Sequence, residues 1–515
     1  MPLVAESHVS EAFVRQVAAI VGADRVSRAD AARAIYGRDL WPKTQLWTRA
    51  GKWPYAPDLI AWPASTAEVA ALVKLCVQES VPVVPFGGGG GVCGGVIPLR
   101  GGLTIDVKRM NRMLGVDPVS MTAEFEAGII GQHLEDLLEA QGYTLGHFPS
   151  SIYISTLGGF LAARSAGQLS TRYGKIEDMV TSFECVTGTG EVLDTADAPE
   201  LNQALIGSEG TLCIITRARL RIHPQAATRR LRGYTFASLE DALLAIRGFM
   251  QRGARPAVVR LYDPLDTALV GMKKSHKAGA PKEAEKLGPL APVLKAIESG
   301  LAPVRPAALR LALNYTGPLQ RAVAPLLKKS MLILGFEGPD ELVEADARIC
   351  HETCLGRGAS DDGPSAGERW LENRYKVSYR QSKFFAAGCF VDTMEVATTW
   401  DKLLDMYHAV RAAVSERVLI LAHFSHVYPE GSSIYFTFAG TADGEEAQER
   451  KYDDVWRDAM LAVQRAGGCL SHHHGVGLSK AAHMQGELGE GMRLYRALKD
   501  VFDPAGLLNP GKMGL

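Results

Sequence analysis

Ser471-His472-His473-His474-Gly475-Val476-Gly477 sets three imidazoles beside a glycine turn. Three consecutive histidines cannot all face one core, so at least one points elsewhere, and an imidazole titrates in the range useful for proton transfer. General acid/base chemistry is one reading of the run, and a metal site is the other. A second stretch suits an anion. The apolar, β-rich run Val81–Val84 delivers Pro85–Gly95, PFGGGGGVCGG, in which seven of eleven residues are glycine. Such a backbone takes positive φ repeatedly and brings its N–H groups close to another molecule. A P-loop would continue into Gly-Lys-Ser/Thr, and a dinucleotide Rossmann turn would open a helix with Gly-x-Gly-x-x-Gly. Neither follows here. Val96–Leu99, Gly101-Gly102 and the alternating strand Leu103–Asp106 come next, so the glycines join strand to strand. A flexible linker is the competing reading, and the buried-type strands on both sides speak against it.

The elements that must position these stretches follow in chain order. Residues from about 9 to 35 read as an amphipathic helical lead-in that ends at Tyr36–Pro42. Leu59–Trp62 reads as a strand, Ser65-x-x-Glu68 as a capping box, and Val69, Leu72, Val73, Cys76 and Val77 fall on one helical face. Thr122–Ala127 is a strand and Gln132–Gln141 a helix. Gly158–Gly167 starts a helix with small residues, which either lets a flat ligand lie against the backbone or packs a helix tightly on a sheet. Met179–Val186 and Glu191–Thr195 form a hairpin, and Gly207–Thr216 enters a strand ending near Pro224.

At 515 residues, 47% hydrophobic and 22% charged, the chain divides into two or three domains. The expected divisions are a helical lead-in over 1–57, a first domain over 58–225, a second over 226–455 and a C-terminal segment over 456–515. A net charge of −1 gives no general attraction to nucleic acid or anionic membrane. The eight cysteines include no Cys-x-x-Cys and lie mostly in apolar runs, as reduced core thiols do. Glu6 and Glu11 stand where a signal peptide needs positive charge and then an apolar core. No stretch of about 18 apolar residues occurs, and Met513-Gly514-Leu515 is not a peroxisomal address. A cytoplasmic protein is expected. The Lys/Pro/Ala-rich stretch 273–306 reads as a mobile excursion, at most a peripheral membrane contact.

The glycine loop, PSSIYISTLGG at 149–159, GSEGTLCIIT at 207–216 and DPAGLLNPGK at 503–512 together resemble the flavin-binding framework of the vanillyl-alcohol oxidase type of flavoprotein, in the same order over most of the chain. Within that superfamily YGRDLWP, RYGKIEDMV, HFSHVYPEGSSIYFTF and SHHHGVG resemble the alkyldihydroxyacetonephosphate synthases. The resemblance implies an α+β fold: a two-subdomain FAD-binding domain, an α+β cap, and a C-terminal segment returning to the flavin site. FAD would then contact Pro85, Phe86, Gly87, Gly88, Gly89, Gly90 and Gly91. It would also meet Ser150, Ser151, Ser155, Thr156 and Gly158; Ala163, Arg164, Ser165 and Ala166; and Glu209, Gly210, Thr211, Ile214 and Ile215. No His or Cys stands in the covalent-flavin pattern, so the FAD is expected to be non-covalent. Five glycines in a row replace the more usual Gly-Gly-Gly-Thr-Ser, a change that touches phosphate geometry and not reaction type.

The resemblance also weighs the metal. In related flavin 2-hydroxy-acid dehydrogenases two histidines on a cap strand and a glutamate at the position of His473 hold one. Here the strand offers His426 and Tyr435 and SHHHG has no carboxylate, so no metal is expected. By resemblance Tyr435 is an acid/base beside His472, His473 and His474, and Arg260 and Arg380 lie near the flavin, where a guanidinium fork suits a phosphate or carboxylate. His423 stays open between a strand-end surface residue and the wall of a tunnel. The implied reaction has flavin N5 as nucleophile at C1 of an acyl-dihydroxyacetone phosphate, replacing the fatty acid by a long-chain alcohol in ether lipid synthesis. The alternative is an FAD-dependent oxidoreductase acting on a 2-hydroxy acid, alcohol or phenol, with His474 as base. The partner is a small-molecule or lipid substrate, and a homodimer stays open.

Overall fold

The computed structural model describes residue 4 and residues 6–272, 306–375 and 382–515. The stretch read as an excursion from Lys273 and the candidate Arg380 lie outside these residues. Two compact units are formed: 1–167, 174–225 and 473–515 make the first, and 168–173 with 226–472 make the second.

In the first unit the capping signal works as the sequence suggests. Ser65 Oγ accepts from Glu68 N at 3.2 Å, starting the helix Thr66–Glu79, whose Val69, Leu72, Val73 and Cys76 are buried. Glu68 itself turns to Ala64 N and to Arg25, at 2.8 and 2.9 Å, and so ties the helix start to the chain before it. The strands Leu59–Ala61, Leu103–Asp106 and Val83–Phe86 run parallel, with Val26–Ser27 antiparallel at one edge. Leu103–Asp106 is buried at every position and does not alternate, because a parallel strand is covered on both faces. The glycine loop leaves Phe86 and returns at Leu103. A second sheet, antiparallel, has the order Met113–Asp117, Thr122–Glu126, Cys213–Arg221, Val180–Thr187 and Val192–Asp194. These two sheets, one mostly parallel and one antiparallel, match the two-subdomain α+β arrangement that the resemblance implies.

The terminal DPAGLLNPGK joins this unit through an isolated parallel bridge between Leu508 and Val83. Val83 N donates to Leu507 O at 2.8 Å, and Asn509 N donates to Val83 O at 2.7 Å. Asp503, almost fully buried, holds the bend: its carboxylate accepts from Leu507 N and Leu508 N at 3.2 and 2.8 Å and pairs with Lys499 Nζ at 2.5 Å.

The second unit is a seven-stranded antiparallel sheet in the order Ser360–Gly363, Thr228–Phe236, Ser330–Gly338, Val258–Tyr262, Leu419–Val427, Gly431–Gly440 and Phe390–Thr399. The helix Glu445–Arg465 is fastened to it by the buried Asp392, which accepts from Tyr452 Oη at 2.5 Å and Trp456 Nε1 at 2.9 Å. The C-terminal segment therefore enters the first unit at His473 and not at 456. The short piece 168–173, expected in the first domain, belongs to the second unit: Thr171 Oγ1 accepts from Val427 N at 3.2 Å and Tyr173 Oη donates to Glu337 at 2.8 Å. Seven cysteines are buried thiols and Cys469 is exposed. Among the described residues, no helix is long and apolar enough to cross a membrane.

Asp503→Ala takes the counter-charge from the Lys499 ammonium, which is only 13% exposed and keeps the carbonyls of Thr211 and Leu508, and frees two amides. Urea unfolding is expected to give a loss of about 3–5 kcal/mol for this variant.

Candidate functional site

Close approach explains the glycines of the loop. A Cβ on Gly87 would stand 2.3 Å from Thr156 Oγ1, and one on Gly88 only 1.6 Å from the Ile154 carbonyl oxygen. The loop therefore lies flat on Ile154–Thr156, and no side chain fits at either place. Gly90 meets Ser155 in the same way, and Gly91 faces Asp39. Two of the stretches expected to hold a cofactor thus share a wall. The other two share another: Gly207 N and Glu209 N donate to Leu161 O and Ala162 O at 2.9 and 3.0 Å, and Gly210 abuts Pro85. Ala163, Arg164, Ser165 and Ala166 are thereby carried next to Glu209, Gly210 and Thr211.

Not every candidate serves in the same way. Gly158 faces Ala127, whose Cβ would lie 3.0 Å from an added one, so its smallness serves helix packing. Ile214 and Ile215 are buried strand residues, and Ser150 is exposed. Ser165 Oγ lies 3.2 Å from Nε2 of the buried His147, whose pKa is pushed down to about 3 by burial, so the ring is neutral. Lys108 was not foreseen. Its Nζ donates to Gly87 O at 2.7 Å and to the buried Asp106 at 2.6 Å, and lies 4.9 Å from the centre of the Phe86 ring. Tyr36 Oη and Trp62 Nε1 donate to the same carboxylate, at 2.5 and 3.1 Å. An acid ending an apolar strand two residues before a lysine was the available signal.

The turn after the imidazoles is docked on this loop. Leu478 N and Ser479 N donate to Cys93 O at 2.8 and 3.1 Å, and Glu209 accepts from Val476 N and, at 2.8 Å, from Gly477 N. Gly477 has φ +52, and a Cβ there would meet Cys93 O at 2.1 Å. The rings of His473 and His474 are 4.6 Å apart and nearly perpendicular.

In the second unit the strand register lines up Tyr262, His423, Tyr435 and Glu395 as successive cross-strand neighbours, which project from one face. His423 stacks on Tyr435 at 4.6 Å and sits 3.7 Å from Asp266 through Nδ1, so it belongs to this row and is not a surface residue. Arg260 shares the face and donates Nε to Tyr262 Oη at 2.9 Å. Burial pushes the Tyr435 phenol up to about 12, so it holds its proton at neutral pH. A bulge between Ser425 and Val427 puts His426 at φ +55 and turns it to Ser170 Oγ, 2.8 Å from Nδ1, with its ring 5.6 Å from His472. Burial and then the neighbouring His472 hold His426 well below the usual imidazole range. Glu395, fully buried, also went unforeseen. It accepts from Ser471 Oγ at 3.0 Å and from His472 N at 2.6 Å. An acid inside the apolar strand Phe390–Thr399 was its only signal.

Two family models match: a FAD binding domain over residues 57–196, and the C-terminal domain of FAD linked oxidases over 225–513. The alkyldihydroxyacetonephosphate synthase of Dictyostelium discoideum is 31% identical, over 97% of this chain and 80% of that protein. The chain belongs to the alkyldihydroxyacetonephosphate synthase family. A solved structure of an alkyldihydroxyacetonephosphate synthase superposes with a TM-score of 0.76 at 28% identity, covering 98% of this chain and 87% of that one. The glycolate oxidase subunit GlcD of Bacillus subtilis (strain 168) is 25% identical over 97% of this chain and 96% of its own. Like other members of its family, the chain is a flavoenzyme with FAD as cofactor. The glycine cradle fits that group: side-chain-free backbone at Gly87 and Gly88 suits a pyrophosphate, and Lys108 adds a cation at the loop's first residue.

Gly88→Ala is expected to yield protein lacking the visible flavin absorbance, with FAD affinity at least tenfold lower by titration, since backbone atoms block the added methyl. His147 gives a pH test. Above about pH 6.5 neither folded nor unfolded imidazole is protonated. Below it the unfolded ring takes up a proton that the folded one refuses until about pH 3, so stability falls by about 1.4 kcal/mol per pH unit as the pH drops through that window. Between pH 6.5 and 5 the wild type should lose about 2 kcal/mol more than His147→Gln in urea unfolding.

Proposed function

We propose that the protein exchanges the acyl group of an acyl-dihydroxyacetone phosphate for a long-chain alcohol, the alkyldihydroxyacetonephosphate synthase reaction. The observation that carries this reading is the row centred on the half-buried Tyr435: a phenol that keeps its proton at neutral pH, stacked on His423, with Arg260 on the same face. The family membership and the relatives' names support the substrate class.

Bound FAD supplies a ring nucleophile toward C1 of the substrate. Arg260 and Arg380 hold the phosphate, Arg260 through the two terminal amino groups left once Nε has gone to Tyr262. His472, His473 and His474 assist the departing and entering oxygens. In the exchange the bond from C1 to the acyl oxygen breaks, the carboxylate leaves with the electron pair, and the alcohol oxygen bonds to C1 and gives up its proton. No net redox occurs. Tyr435 is the group that moves the C1 proton. Because it starts as the neutral phenol, its first act is donation, and it takes up the C1 proton only after its own has passed to a histidine or a leaving oxygen.

The second reading is oxidation of a 2-hydroxy acid, with His474 as base, and the end-to-end similarity to a glycolate oxidase subunit favours it. Anaerobic mixing separates the two. Alcohol-for-acyl exchange on acyl-dihydroxyacetone phosphate without lasting loss of flavin absorbance supports the synthase; lasting bleaching by a hydroxy acid, with no exchange, overturns it. Tyr435→Phe is expected to keep its flavin and lose exchange by about 10²–10⁴-fold.

A further inference from the structure

Two carboxylates, on different units, grip the chain on either side of the imidazole run. On the second unit, Glu395 is fully buried in the strand Phe390–Thr399. Its two oxygens accept from Ser471 Oγ at 3.0 Å and from His472 N at 2.6 Å. The approach of this segment is set by a bridge between Ala397 and Cys469, with N–H to O distances of 3.1 and 2.7 Å in the two directions. On the first unit, Glu209 spreads its two oxygens over the consecutive amides of Val476 and Gly477. Glu209 adopts φ +52, rare for a residue with a side chain, and its N–H is fixed on Ala162 O at 3.0 Å. Gly475, at φ +82, passes so close that a Cβ would lie 2.5 Å from Glu209 Oε1. Only His472, His473, His474 and Gly475 separate the last atom held by Glu395 from the first held by Glu209.

Neither carboxylate is needed there for the fold of a strand or a helix. Each spends both oxygens on donors within three residues of an imidazole, and a misplacement of about 1 Å at reacting groups can cost about 10²-fold in rate. We infer that Glu209 and Glu395 are positioning residues that fix the two ends of the His472–His474 run. This rests on the reading of those histidines as the proton-handling groups.

The two sites differ in what an amide would do. At Glu395 one of the two donors is a hydroxyl. A glutamine can keep its oxygen on His472 N and give its amino group to Ser471 Oγ, since a hydroxyl both donates and accepts. At Glu209 both donors are backbone N–H groups, so a glutamine amino group must face one of them and leave it unpaired.

The experiment compares Glu395→Gln, Glu395→Ala, Glu209→Gln and Ser471→Ala holoenzymes, each checked for flavin content. It measures kcat and KM for exchange, and the histidine titrations by NMR on ¹³C-histidine-labelled protein. Glu395→Gln should stay within about threefold of wild type in kcat, whereas Glu395→Ala and Glu209→Gln lose tenfold or more with KM changed less than threefold. In both of the latter the titrations of His472–His474 shift. Ser471→Ala removes one of the four bonds, keeps both carboxylates, and should lower kcat 2- to 5-fold; it decides the matter for Glu395 if the alanine variant does not fold. Unchanged kcat with unmoved titrations in Glu209→Gln and Ser471→Ala overturns the inference, as does Glu395→Gln falling as far as Glu395→Ala. A wild type with no exchange activity sinks the synthase reading, and the NMR titrations alone then decide this one by the same criteria.

Discussion

Glu209 accepts the backbone N–H groups of Val476 and Gly477 with its side chain, while its carbonyl oxygen accepts from Asn509 Nδ2 at 2.6 Å. The same Asn509 amide donates to Gly95 O at 2.8 Å, and the amides of Leu478 and Ser479 converge on Cys93 O. Four pieces of chain far apart in sequence are thus one hydrogen-bonded body: the glycine loop, the segment after Gly207, the turn that ends the imidazole run, and the C-terminal stretch around Asn509. Cys93, Val476, Gly477 and Asn509 are buried, so removing a partner of one of them leaves it unpaired, at about 1–3 kcal/mol apiece. The left-handed backbone at Glu209, which costs about 1–3 kcal/mol, persists because the network over-determines it.

Charge is balanced around that body. Asp39 accepts from Trp41 N at 2.9 Å and Gly94 N at 3.0 Å, yet burial still pushes its pKa up to about 7. Burial likewise raises Glu209 and lowers Lys512 to about 8, while the attraction of Glu209 and Asp39 pulls Lys512 back up. Lys512 is fully buried, with Nζ on Ile97 O at 2.7 Å, and Lys480 is buried as well. Two acids and two lysines leave the surroundings of the loop close to neutral. The field an anion meets at the glycines is then that of the backbone amides and of Lys108, itself paired with Asp106.

What could be read from the residues alone was whatever leaves a local trace. The glycine loop betrays itself by composition, Ser65 by its spacing to Glu68, and two of the parallel strands by short apolar runs at Leu59–Trp62 and Val81–Val84; Leu103–Asp106 reads as alternating, and only its cover on both faces buries Thr104 and Asp106. Where function depended on pairing at long range, no local trace existed. The transfer of 168–173 to the second unit rests on hydrogen bonds reaching more than 160 residues along the chain, and the residues of that piece are ordinary ones. His426 was visible as a histidine on a strand, but the bulge that gives it φ +55 and aims it at Ser170 follows from the register of two strands, which a single sequence does not carry. Glu395 and Asp392 left a faint trace, as acids in an otherwise apolar strand; only their neighbours tell the two apart. Asp392 is taken by Tyr452 and Trp456, and Glu395 by Ser471 and His472.

The row on the cap sheet imposes an order on its own chemistry. His426 cannot easily take a proton, because burial and the neighbouring His472 oppose a charge there, and Tyr435 cannot easily lose one. Arg260 is the cation that restrains the rise of the Tyr435 pKa. An anion bound at that guanidinium would offset its charge and raise the Tyr435 pKa further, so in the proposed reaction a docked phosphate would keep the phenol protonated while making it a weaker acid. By the same electrostatics, a phenolate formed once the proton has been passed on would be a stronger base beside a docked phosphate than in the empty site, which suits taking a proton from the substrate late in the sequence proposed above.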